Sequence, residues 1–144
     1  MTAVLDAYAI LALLKGEPAA GQVRWLVGAG DATLTALGVA EVVDHLVRIV
    51  GVPEEDAALD LAQLGLVDPH VLDAGAALRA GLLRARHYHR TTRAVSLADC
   101  VAAEAARGQG LPVATSDPHL LDLCREELSG VIPLPDSRGA TWTP

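Results

Sequence analysis

Short apolar runs alternate with helix-length stretches along this chain, and that alternation constrains the fold more than any other feature. Residues 2–5 read as a buried strand, and 7–15 as a helix that Gly16 can stop. Pro18 suits the first position of a helix running to about Val27, and a strand follows near Ala32–Thr35. From Leu37 apolar residues recur at helical spacing (Val39, Val43, Leu46, Val50) until Gly51. VPEEDAALDLAQLG predicts a helix with Pro53 near its start, and LVDPHV a brief strand. HVLDAGAALRAGLLRAR predicts a helix, and SLADCVAAEAARGQG another with Ser96 as N-cap. The strand LPVATS, the helix DPHLLDLCREELSG and the strand VIPLP complete the series. Strands separated by helices imply parallel crossover units, hence a three-layer α/β fold around a central, mostly parallel sheet of about five short strands. Residues 1–135 read as one domain and 136–144 as a loose tail.

Composition narrows the classes. At 51% hydrophobic and 20% charged the chain is globular rather than disordered. No apolar run approaches the ~18 residues that span a bilayer. A basic leader with a small-residue cleavage site is absent, so a cytoplasmic protein is expected. Cys100 and Cys124 fit no metal or redox spacing and read as buried thiols. A net charge of −7 argues against a general nucleic-acid binder. Basic residues nevertheless concentrate at Arg79, Arg84, Arg86, Arg90 and Arg93, with His87, Tyr88 and His89 among them. That run is either a solvated face or a phosphate-contact patch. His45, His70 and His119 read as structural.

The acids carry the functional signal. In parallel sheets ligands bind beyond the carboxyl ends of the strands. Asp6 follows the first strand and Asp117 follows LPVATS, while Asp99 and Glu41 fall in the first or second turn of helices that can start at the same edge. Singly, each has a plain reading: Asp6 and Asp117 as helix caps, Asp99 in a capping box with Ser96, Glu41 on a solvated face. Together they imply four carboxylates that repel one another unless a cation intervenes. Hard Mg²⁺ or Mn²⁺ prefers such oxygens and can activate water against a phosphodiester.

At LDAYAILALL, VAEVVDHL, SLADCVAAEAARGQGLPVATSDPHL and VIPL the sequence resembles a PIN-domain ribonuclease, more narrowly the VapC-like toxin of a bacterial toxin–antitoxin pair. The resemblance covers essentially the whole chain. It implies a Mg²⁺- or Mn²⁺-dependent endoribonuclease leaving 5′-phosphate and 3′-hydroxyl ends. It carries the family's acidic set onto Asp6, Glu41, Asp99 and Asp117, and a supporting hydroxyl onto Thr115 or Ser116. It also implies an RNA substrate, an antitoxin that occludes the acids, and a homodimer. Two departures stand out: Gly38 occupies a position that is often polar, and PHLL follows Asp117 where an aromatic is common.

Two rival classes remain at this level. A receiver or phosphatase-like phosphotransfer domain also places Asp at strand ends. The phosphatase pattern wants an acid at position 8, which is Tyr8, and both need a late lysine, whereas the only lysine is Lys15. A catalytically silent PIN-like module is the other, and few aromatic residues (3%) are available to stack on bases.

Overall fold

Strand β1 (Ala3–Leu5) is buried on both faces, as a central strand between two helical layers must be. In the computed structural model, which describes residues 2–66, 71–127 and 129–144, it is flanked by β2 (Ala32–Leu34) and β3 (Val113–Thr115). Strand β4 (Val131–Pro133) pairs beyond β3. All pairings are parallel and the order is β2-β1-β3-β4. Val4 lies opposite Thr33 and Val113, and Leu5 opposite Leu34 and Ala114.

Side-chain alternation along β1 divides the core. Ala3 and Leu5 join α1 (Ala7–Lys15), α2 (Ala20–Gly28), α3 (Ala36–Asp44) and α4 (Glu54–Gln63) in one apolar cluster. Val4 joins α5 (Ala74–His87), α6 (Leu97–Gln109) and α7 (Pro118–Glu126) in the other. The result is the three-layer α/β fold that the sequence predicts. Among the described residues the sheet has four strands. The further one expected at LVDPHV falls mostly on residues 67–70, which with His70 lie outside the described residues.

Helix ends follow local chemistry. Gly16, Gly51 and Gly110 end helical segments with φ of 69°, 86° and 66°, values costly for residues with a Cβ. Helix α2 starts two residues after Pro18, because Glu17–Ala20 first closes a turn through Ala20 N–H donating to Glu17 O at 2.9 Å. The long helix expected from Leu37 to Val50 changes character midway: after α3 it runs on as a π-helical stretch, His45–Val50. Gly38 has a packing reason, since a Cβ there would lie 3.0 Å from Leu34 Cγ and 3.3 Å from Thr35 Oγ1. Asp136 organises the C-terminal residues, its N–H donating to Ala140 O at 2.8 Å and its Oδ1 accepting from Arg138 and Ala140 N–H, and the Trp142 indole donates to Asp122 Oδ1 at 2.9 Å. No described helix is long and apolar enough to cross a membrane.

Candidate active site

The chain leaves β1 toward β2 on one side and returns to β3 on the other, so a crevice opens at the carboxyl ends of β1 and β3. Asp6 stands immediately after β1 in extended backbone and caps α1, one carboxylate oxygen accepting the Ala9 N–H at 2.9 Å. Its other oxygen accepts a short hydrogen bond from the Thr115 hydroxyl, which itself accepts the Asp117 N–H at 3.0 Å. The side chain is 5% exposed. Burial pushes its carboxyl up from the ordinary 3.8 to about 7; the bonds from Thr115 and Ala9 oppose this, and the charges of Asp99 and Asp117 add to it.

The other acids arrive from separate elements. Asp99 opens α6 in a full capping box: its Oδ2 accepts the Ser96 N–H at 2.9 Å and Ser96 Oγ accepts the Asp99 N–H at 3.0 Å. Burial raises its carboxyl, with Asp117 adding to the rise, while the Ser96 bonds and His119 oppose it. Glu41 projects from the second turn of α3 and is likewise raised, first by burial and then by Asp99. Asp117 caps α7 by accepting the His119 N–H at 2.9 Å. The cap reading holds, and the caps also meet electrostatically: three helices begin at this crevice, and Asp99 and Asp117 both raise Asp6. Three positive helix ends partly offset that rise.

Glu41, Asp99 and Asp117 line an open cleft of about 470 Å³, together with Tyr8, His45, Asp44 and Arg48. A narrow recess lined by Asp6, Glu41 and Asp99 shares Tyr8 with it. None of the four acids forms an ion pair among the described residues. Also among the described residues, no three acidic, histidine or cysteine side chains are placed to share one ion as they stand. The donor set nonetheless fits a hard divalent cation in its chemistry. It is all carboxylate oxygen, Asp6 and Asp99 are pushed toward protonation by burial and by neighbouring acids, and among the described residues no ion pair holds any of the four.

A match to the PIN domain covers residues 3–126. This chain belongs to the PIN-domain family. PIN domains are generally nucleases and typically use divalent metal ions. The crystal structure of FitAcB from Neisseria gonorrhoeae is similar at a TM-score of 0.63 and 21% identity, covering 91% of this chain and 96% of that one. The crystal structure of PAE2754 from Pyrobaculum aerophilum is similar at 0.58 and 21%, covering 85% and 86%. Both show the shared fold. No curated protein matches. Membership of the PIN family sets the phosphotransfer reading aside.

Elsewhere in this PIN domain the basic run is mostly turned to internal use. Arg84 donates to the Val95 carbonyl at 2.9 Å and stacks on Tyr88, 4.2 Å from the ring centroid. Arg93 pairs with Glu126 at 2.7 Å, and Arg86 stands 4.0 Å from Glu127. Arg90 is exposed. None of these four arginines lines the acid cleft. Of the two hydroxyls singled out in the sequence, it is Thr115 that reaches Asp6.

Sequence reasoning missed two rim residues. Tyr8 is 61% exposed, and its ring meets His45 edge-on at 6.3 Å and 76°. His45 Nε2 is buried without a hydrogen-bond partner, a condition that costs about 1–3 kcal/mol. A signal was there: His45 follows Glu41 by four positions and so shares its helix face.

Proposed function

We propose that this PIN domain is a Mg²⁺- or Mn²⁺-dependent endoribonuclease and acts in the cytoplasm as the toxin of a toxin–antitoxin pair. The observation that carries the reading is the approach of Asp6, Glu41, Asp99 and Asp117 to one crevice at the switch point of the sheet, with the carboxyls of Asp6, Glu41 and Asp99 raised and, among the described residues, no ion pair to any of the four. Asp6 and Asp99 would hold the ion directly, and Glu41 and Asp117 directly or through water. A divalent ion so held supplies a water of lowered pKa and charge neutralisation at the phosphate. Thr115 holds one oxygen of Asp6 in place and opposes the protonation that burial favours. The N-termini of α1, α6 and α7 favour a phosphate arriving between them.

The partners follow from the toxin resemblance: an RNA substrate, an antitoxin segment that fills the cleft, and a second copy of the chain. One observation favours a second reading, a catalytically silent module: among the described residues no three acids share an ion as placed. Cleavage of mixed labelled RNAs by purified protein with Mg²⁺, Mn²⁺ or EDTA, beside Asp99→Ala, decides between them. Cleavage that needs both metal and Asp99 supports the nuclease. Its absence under every metal, in folded antitoxin-free protein, supports the silent module.

A further inference from the structure

Resting on the ribonuclease reading, we propose that Tyr8 and His45 form a nucleobase-binding wall, on which a base of the bound strand stacks at Tyr8 beside the phosphate to be cut. Between Ala7 and Leu13 the side chains of α1 are buried in the core, and Tyr8 alone stands out, at 61% exposure. Packing therefore does not account for its ring. Tyr8 lies two positions after Asp6 and lines both the open cleft and the recess that holds Asp6, Glu41 and Asp99. A base on that ring places its own phosphate among the acids.

His45 supplies the second half of the wall. Its edge contact orients Tyr8, and its buried Nε2 has no partner. It opens the π-helical stretch His45–Val50, a backbone form that is uncommon and concentrates at functional sites. The polar edge of a base or a ribose 2′-hydroxyl reaching that nitrogen would meet the unsatisfied bond.

Charge makes the base contact necessary. The cleft is acidic, and the arginine on its rim, Arg48, is held by both oxygens of Asp44 at 2.9 and 2.8 Å. Phosphate attraction alone gives such a cleft little hold on RNA, whereas stacking on a neutral ring is indifferent to that charge. A base inside a duplex cannot leave its stack to reach Tyr8 without being unpaired, so paired RNA is excluded.

The test uses a fluorescein-labelled single-stranded RNA of mixed sequence and the same strand annealed to its complement. Binding is read by anisotropy with Ca²⁺ as the cation, and steady-state cleavage with Mg²⁺ or Mn²⁺. Tyr8→Ala should weaken single-strand binding roughly tenfold and raise KM similarly with kcat within about threefold, while Tyr8→Phe stays within about twofold of the parent. His45→Phe, which keeps a ring but no nitrogen, should fall between them. Tyr8→Ala equal to the parent, Tyr8→Phe as impaired as Tyr8→Ala, or equal affinity for single and double strands overturns the wall. A parent chain that binds neither strand overturns it as well. Binding that depends on Tyr8 without any cleavage upholds the wall and removes the nuclease; cleavage indifferent to Tyr8 does the reverse.

Discussion

Two carboxylates are almost equally buried, Asp6 at 5% and Glu104 at 6%, yet their surroundings are opposite. Glu104 on α6 accepts from Arg79 at 2.9 Å and from Arg107, whose Nη2 makes a short contact, beside a cavity of about 290 Å³. Burial alone would raise its carboxyl, but the two guanidinium groups, Arg107 above Arg79, outweigh burial and hold it below the ordinary range. Asp6 receives a hydroxyl and a backbone N–H and faces other acids, so its carboxyl rises to about 7. One acid is completed by the protein, and the other is left for something to complete. Burial of charge marks a site only when the partner is missing.

Cleavage gives the broadest way to break this contrast. Asp6→Asn or Asp99→Ala should lower RNA cleavage by about a thousandfold or more with the fold intact by circular dichroism, whereas Glu104→Gln should leave the rate per folded molecule within about twofold. Equal losses at both acids would end the distinction.

Stability against pH sharpens it. A carboxyl raised on folding keeps its proton in the native state up to about 7, while the unfolded chain releases it near 3.8. In EDTA, stability from Asp6 should therefore fall as pH rises from about 4 to 7, by roughly 2–4 kcal/mol, and level off above. Urea titrations across that range check the slope. Asp6→Asn should flatten it, and Mn²⁺ should raise the melting temperature of the parent but not of that variant. Glu104 has the opposite sign, because its contribution is present above the ordinary carboxylate range and lost as pH falls through its lowered value. Accordingly Glu104→Gln should destabilise the protein at pH 8 by about 1–2 kcal/mol, modest because Arg79 and Arg107 are half exposed (54% and 50%) and rehydrate. Asp6→Asn at the same pH should stabilise it.

The smallest effect concerns Thr115. Thr115→Val removes the hydroxyl that links Asp6 to the Asp117 backbone. Cleavage should drop about tenfold at neutral pH, with the rising limb of its pH profile displaced upward as Asp6 holds its proton more tightly.

Much of this was legible in the sequence. The strand–helix alternation gave the layers, and Asp6, Asp99 and Asp117 were readable because their positions after strands or at helix starts are local facts. The cap readings and the site readings need not compete, and the structure bears out the caps. What was not legible depends on three-dimensional partners. Nothing in the run from Arg84 to Arg93 announces that Val95 and Glu126 will occupy two of its arginines. Likewise His45 read as structural because the turn from α to π geometry leaves no periodic signature, and Tyr8 drew no role because its neighbours along α1 are core.

The pairing of β1 with β3 joins the first residues of the chain to residues past 110. Asp6 and Asp117 are thus among the most sequence-distant neighbours in the molecule, and their site has no meaning until β3 has docked. During synthesis a growing chain first carries Asp6 without Thr115 or Asp117, and on the ribonuclease reading it would then be inert toward RNA. On the ribonuclease reading, the long-range closure that slows folding would also delay the onset of activity until β3 has been made and has docked.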